Sequence, residues 1–291
     1  MEPRRFYQPA EKRVTMSGKV YIVGAGPGSA DLLTLRAATL LRAAQVVLHD
    51  DLVPQEILDL CAASAQVINV GKRCGNRGRS QEQINALMVW HARETEALTI
   101  VRLKSGDPAV FGRLGEELDA LRRAGVEFEI VPGITAASAA AAAAGITLTD
   151  RRAASALVVV TAHTCRNESL SETVEPMRST YALYMPGPDY SKTAQGLLEA
   201  GHQPETPCAV ISNAGRLNQE VRHLTLDELK TATGIPAPAV LIVGEVAREH
   251  LPRTKEDSLS QISSEAREPY NQEIAALPIP GLIQLSFDRT S

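Results

Sequence analysis

Between residues 19 and 131 the apolar positions follow two alternating rhythms. Short β-prone runs at 19–23, 45–48, 66–70, 98–103 and 127–131 alternate with stretches at 32–44, 82–94 and 115–123, where apolar residues return at helical spacing. A glycine and proline turn, Gly24 to Gly28, separates the first strand from the first helix, and Asp31 stands where an N-cap belongs. The strand, helix and strand over 19–48 predict a βαβ unit with a right-handed crossover, and so a parallel sheet.

After Pro132-Gly133 an alanine-rich stretch covers 135–144, and Gly145 follows as a helix-ending residue. Alanine is the best helix former, and its small side chain also lets a large flat ligand lie close. Further strands are predicted at 156–161, 181–185, 208–212 and 239–243, with a helix at 191–200. The fold class expected is α/β, as two α/β domains with the active-site cleft between them. The division expected is an N-terminal arm (1–17), an N-terminal α/β domain (18–134), a C-terminal α/β domain (135–250) and a polar tail (251–291). The tail is Ser-rich at 257–265, and its apolar stretch at 274–287, holding Pro278 and Pro280, reads as a docking segment.

Composition narrows the class. The 291 residues are 44% hydrophobic and 22% charged, near the averages for globular proteins. No apolar run reaches the roughly 18 residues that a membrane helix requires, and no apolar core follows the basic residues at the N-terminus, so neither a membrane partner nor export is expected. Cys61, Cys74, Cys165 and Cys208 stand far apart without a CxxC pair, which implies a reducing cytoplasm, no disulfide and no metal. A net charge of −4 argues against nucleic acid as a partner. Within that balance, Lys72, Arg73, Arg77 and Arg79 form a basic cluster and Arg151-Arg152 a second, each readable as a solvated loop or as a local field for a polyanion.

Gly24-Ala25-Gly26-Pro27-Gly28 lies between strand and helix, where backbone N–H groups can receive the polar end of a nucleotide. A dinucleotide fingerprint would place Gly or Ala at position 29, which is Ser29, and Pro27 removes a donor just where pyrophosphate needs one. An acid after the second strand, Asp50 or Asp51, leaves an NAD-dependent dehydrogenase as an alternative.

Ordered segments make the pattern specific. VGAGPG (23–28), LLTLRA (32–37), HDDLV (49–53), GKR (71–73), LKSGDPAVFGRLGEE (103–117), VPGITAAS (131–138), GITLTDR (145–151), TAH (161–163), YMP (184–186) and PAPAVLIVGEV (236–246) follow one another as in the tetrapyrrole methylases, and the chain resembles that family over about residues 18 to 248. It departs from the family pattern at Ser105, Leu114, Asp150 and Ala162, while Arg113, Arg151 and His163 stand where the family has them.

The resemblance implies a transferase that uses S-adenosyl-L-methionine as cosubstrate, releases S-adenosyl-L-homocysteine and methylates a tetrapyrrole, with uroporphyrinogen III as the acceptor. It also implies a homodimer. Carried over by motif, Pro27, Ser105, Gly106, Asp107, Val110, Thr135, Ala136, Met185, Ala214 and Ala239 would line the cosubstrate site. Arg113, Arg151 and His163 would hold the carboxylates of the acceptor, for which forked arginine pairing is well suited. Asp50 would accept and Lys72 donate a proton, with Arg113 and Glu116 at the reacting ring. Residue by residue, blander readings stay open: Met185 as core filler, Asp107 as a turn acid before Pro108, each arginine as a surface ion pair. Other acceptors within the family, a later corrin intermediate or a diphthamide precursor, also remain open. The departures leave room for a binding protein of the same fold without turnover.

Overall fold

A computed structural model describes residues 18–71, 79–94, 98–162, 178–187 and 189–250. The expected arm and tail, together with Lys72, Arg73, Cys74, Arg77, His163 and Cys165, lie outside the described residues. All those described belong to one compact unit.

The first half runs β1 (Lys19–Gly24), α1 (Leu35–Ala43), β2 (Val46–His49), α2 (Gln55–Leu58), β3 (Gln66–Asn69), α3 (Gln81–Glu94), β4 (Thr99–Lys104), α4 (Leu114–Arg123) and β5 (Phe128–Val131). Its five strands pair in the order β3-β2-β4-β1-β5, all parallel. β1 and β2 are therefore not neighbours; β4 enters between them, and the crossover through α1 skips one place. Val20, Ile22, Val46, Leu48 and Ile100 pack on one face against α3 and α4. Val23, Val47, Val101 and Leu103 pack on the other against α1. A parallel sheet covered on both faces reads as the near-continuous apolar runs seen here.

The first helix starts later than expected. Asp31 lies in a short 3-10 turn, Ala30–Leu32, and the cap of α1 is Thr34, whose hydroxyl accepts the Ala37 N–H at 3.1 Å. Threonine satisfies an amide donor that the helix start would otherwise leave open.

The second half runs α5 (Ala136–Ala144), β6 (Ala156–Thr161), β7 (Ser179–Tyr184), α6 (Tyr190–Glu199), β8 (Pro207–Ser212), β9 (Glu220–Thr225), α7 (Leu226–Leu229) and β10 (Ala239–Val243). The sheet order is β6-β7-β10-β8-β9; only β6 and β7 are parallel, and the other pairs are antiparallel. α5 ends on Gly145 with φ of 66°, the left-handed region that glycine enters at no steric cost. Ala139, Ala140, Ala141 and Ala144 bury themselves against Ala209, Ile211, Val240 and Ile242, so most of the alanine stretch serves close helix-to-sheet packing. Most expected boundaries shift by one or two residues, and β9, α2 and α7 were not anticipated. Thr225 and Glu228 form a capping box at α7, a signal readable in the sequence.

Candidate active site

In a parallel sheet with covered faces, the open place for a ligand is beyond the carboxyl ends of the strands. Four of those ends meet here: the turn after β1, the residues after β2, the loop after β4 and the segment after β5. Glycine makes the meeting close. A Cβ on Gly24 would lie 2.6 Å from the Gly133 backbone and 2.7 Å from the Gly106 carbonyl oxygen, and Gly26 and Gly106 pair as an antiparallel bridge. Any side chain at 24 or 133 would force the strand ends apart.

A cavity of about 350 Å³ lies against these ends, within the range of small-molecule sites. Pro27, Asp50, Asp51, Leu52, Ser105, Gly106, Asp107, Val110 and Phe111 line it from the first half, and Thr135, Ala136, Tyr184, Met185, Ala214, Arg216 and Ala239 from the second. All ten residues that the sequence motifs assign to the cosubstrate, and Asp50, are thus brought to one wall. Only Ala136 of the alanine helix reaches it.

Each wall residue has a local cause. Asp107 accepts the Ala109 N–H at 2.8 Å through one carboxylate oxygen and the Gly133 N–H at 3.0 Å through the other, so it holds its own turn and ties it to the strand end after β5. The turn-acid reading and the wall position are both true of it. Tyr184 closes β7 and accepts the Ala137 N–H at 2.9 Å, bonds the Thr135 hydroxyl, and sets its ring 5.1 Å from that of Phe111. The phenol thereby satisfies a donor at the start of α5. Phe111, Arg113, Met185 and Asn213 have φ of 50–54°, and they are the non-glycine residues so placed among those described. Two of them line the cavity and two stand beside lining residues; backbone of this kind costs on the order of 1–3 kcal/mol and collects at functional sites.

The residues assigned to the acceptor are less concentrated. Arg113 precedes α4 and is not part of the lining; its side chain is 52% exposed and forks to Glu116 at 2.7 Å through two nitrogens. That bond, over the opposing effect of burial, holds the guanidinium pKa above its ordinary value. Arg151 is exposed in the loop after α5. Its neighbour Arg152 forks to Asp150, and these side-chain and backbone bonds bring the Asp150 carboxyl down to about 2. Of the basic cluster, Arg79 donates to the Asn69 carbonyl at 2.7 Å; Lys72 and His163 lie outside the described residues.

Sequence reasoning missed Arg216, Tyr184 and a buried group behind Asp50. Arg102 donates to Asp50 at 2.5 Å and to Glu117 at 2.9 Å, and Lys104 donates to both oxygens of Glu117 at 2.9 Å. Burial alone would lower the Arg102 pKa, but Asp50 and Glu117 outweigh it and the net shift is upward; burial and then Arg102 push Lys104 below its ordinary value. Among the described residues no group of three or more His, Cys, Asp or Glu could hold a metal ion, and no helix is long and apolar enough to cross a membrane.

Known proteins share this arrangement. The family model "Tetrapyrrole (Corrin/Porphyrin) Methylases" matches residues 19–230. A siroheme synthase from Psychrobacter sp. is 44% identical over 239 residues, 80% of this chain and 48% of that protein. The chain spans about half the length of the siroheme synthases it matches. A uroporphyrinogen-III C-methyltransferase from Pseudomonas aeruginosa is 44% identical over 238 residues, 80% of this chain and 96% of that one. The crystal structure of the uroporphyrin-III C-methyl transferase from Thermus thermophilus, complexed with S-adenyl homocysteine, superposes with a TM-score of 0.68 at 35% identity, over 80% of this chain and 100% of that one.

Proposed function

The chain belongs to the tetrapyrrole methylase family, and from that premise we propose that it is an S-adenosyl-L-methionine-dependent C-methyltransferase that methylates uroporphyrinogen III at C2 and C7 to give precorrin-2. The observation that carries this reading is the single cavity around which the ten motif residues and Asp50 gather. Its wall fits the cosubstrate: Val110, Ala136, Met185, Ala214 and Ala239 offer an apolar bed, and the backbone of Ser105 and Gly106 offers polar groups beside it. Pro27 in the turn after β1 removes a donor that a pyrophosphate would use, so the dehydrogenase alternative is disfavoured.

The cosubstrate supplies a methyl group on a sulfonium, already a good leaving group. What the protein contributes is alignment, on the order of 7–11 kcal/mol for well-placed reactants, and a place for the proton that the methylated ring system sheds from a bridging carbon. Asp50 is the carboxylate on the cavity wall suited to receive it. Arg113, with Glu116 exchanged for a ring carboxylate, would grip the acceptor from the rim, with Arg151 and His163 as further cations and Lys72 as proton donor. The product would feed sirohaem, cobalamin or haem d1 formation, in the cytoplasm, with the protein as a homodimer.

The test is incubation of the full chain with labelled S-adenosyl-L-methionine and anaerobically prepared uroporphyrinogen III. Mono- and then dimethylated product is expected. Absence of transfer, with S-adenosyl-L-homocysteine still bound, would point to a binding protein; heat on titration with NAD and none with S-adenosyl-L-homocysteine would overturn the family function here.

A further inference from the structure

Four charged side chains form a chain of contacts from the core to the cavity. Lys104 and Arg102 project from the face of β4 that also carries Ile100, the face covered by α3 and α4. Glu117 comes down from α4 between them. The side chains of Glu117, Arg102 and Lys104 are 0%, 3% and 4% exposed, whereas that of Asp50 is 30% exposed and reaches the wall. Arg102 also donates to the Leu48 and Leu103 carbonyls at 3.3 and 3.1 Å, so its guanidinium is fixed on several sides. Gln81 of α3 approaches Glu117 at 3.4 Å. Lys104 runs beneath the turn that follows Val110: a Cβ on Gly112 would lie 3.1 Å from the lysine Cε and 2.5 Å from the Pro108 carbonyl oxygen.

Burying two cations and an anion is not a route to stability, because desolvation cancels much of the attraction and well-packed apolar residues commonly do as well. The cluster has another consequence. Two positive and two negative groups balance, and the one member in contact with the cavity has Oδ1 engaged by Arg102 and Oδ2 without a partner among the described residues. We propose that Arg102 is a positioning residue for Asp50: anchored by Glu117, it fixes the Asp50 carboxylate and aims its second oxygen at the reacting ring. This rests on the reading of Asp50 as proton acceptor. Among the described residues, the charged groups bearing on Asp50 are Arg102 and Lys104 from β4, Glu117 from α4 and the adjoining Asp51, with His49 bonded to its backbone carbonyl.

Arg102→Gln tests it, because Lys104 still pairs with both oxygens of Glu117 and no buried anion is stranded. The turnover number should fall by at least about tenfold, a part of the 10²–10⁴-fold that general acid–base help typically supplies. The KM for S-adenosyl-L-methionine should stay within about threefold, since Arg102 is not itself part of the cavity lining. In an Asp50→Asn background the same change should cost no further turnover. A wild-type rate in R102Q, an equal loss in the two backgrounds, or a parallel loss of S-adenosyl-L-homocysteine affinity would each overturn the proposal. Should glutamine prevent folding, Arg102→Lys serves: a single ammonium replaces the two separate nitrogens, Nε and Nη2, that reach Glu117 and Asp50, so turnover should again drop while binding persists. Carbon-13 NMR of the Asp50 carboxyl, assigned with D50N, separates this inference from the choice of acceptor. Its resonance should shift in R102Q whatever the enzyme methylates, because the bond from Arg102 is gone, and an unmoved resonance would sink the positioning role by itself.

Discussion

Arg216, in the loop after β8, donates from Nη2 to the carbonyl oxygen of Leu52 at 2.7 Å, a bond between residues 164 positions apart in the chain. Its Nε approaches the Pro27 carbonyl at 3.5 Å, and the alkyl part of the side chain fills the space that a Cβ on Gly28 would need. One guanidinium from the second half thus ties together two loops of the first, and all three residues line the cavity.

Arg216→Ala should therefore loosen the wall more than the core. S-adenosyl-L-homocysteine affinity, read by calorimetry, is expected to weaken by about 0.5–1.5 kcal/mol, the worth of an ordinary intramolecular hydrogen bond, with little change in melting temperature. Unchanged affinity would mean that the tie is incidental to binding.

Glu117→Gln should do the opposite. Among the described residues Glu117 is the fully buried carboxylate, and removing it leaves Arg102 and Lys104 facing each other with Asp50 to balance them; breaking a buried charge group in this way costs about 3–5 kcal/mol. For a protein of this size that corresponds to a fall of about 6–20 °C in melting temperature, measurable by calorimetry. A fall of a degree or less would show that the pair is not needed for folding.

Stability should also decline in mild acid. His202 is buried with its ring edge-on to Tyr181, centroids 4.8 Å apart, and burial lowers its pKa from the ordinary 6.5. The fold resists protonation of this ring, so below pH 6.5 the unfolded chain binds the proton more readily. The contribution is full above 6.5 and is lost as pH falls below that value through the lowered folded pKa. His202→Phe should remove this part of the loss, so the melting temperatures of variant and parent, followed from pH 8 to 5, should diverge in the variant's favour as pH falls. His91, likewise lowered by burial, keeps its own share in both proteins.

Arg113→Lys tests the rim. Lysine keeps the charge but cannot fork, so if Arg113 grips a ring carboxylate, turnover of uroporphyrinogen III should fall by about tenfold to a hundredfold. S-adenosyl-L-homocysteine affinity should hold, because Arg113 is not part of the cavity lining. Wild-type turnover would leave Arg113 and Glu116 as a surface pair and nothing more.

The sequence by itself determined the longer helices and nearly all the strands, because each depends on a rhythm of apolar residues within a dozen positions, and the helix end at Gly145, where the backbone constraint is local. It also marked the ten motif residues, through the resemblance of their ordered segments to the tetrapyrrole methylases. Only the tertiary structure decided that β4 stands between β1 and β2, for strand order depends on which faces remain to be covered and leaves no local trace. The polar edge strand β9 went unseen for the same reason. The charged cluster is the sharpest case. Arg102 and Lys104 alternate with Val101 and Leu103, which in isolation reads as a solvent face outside and a core face inside. That face is buried because α4, ten and more residues further on, folds over it and brings Glu117 to meet the two cations. A charge can be buried only where a counter-charge arrives with it, and the arrival is set by packing between elements distant in the chain.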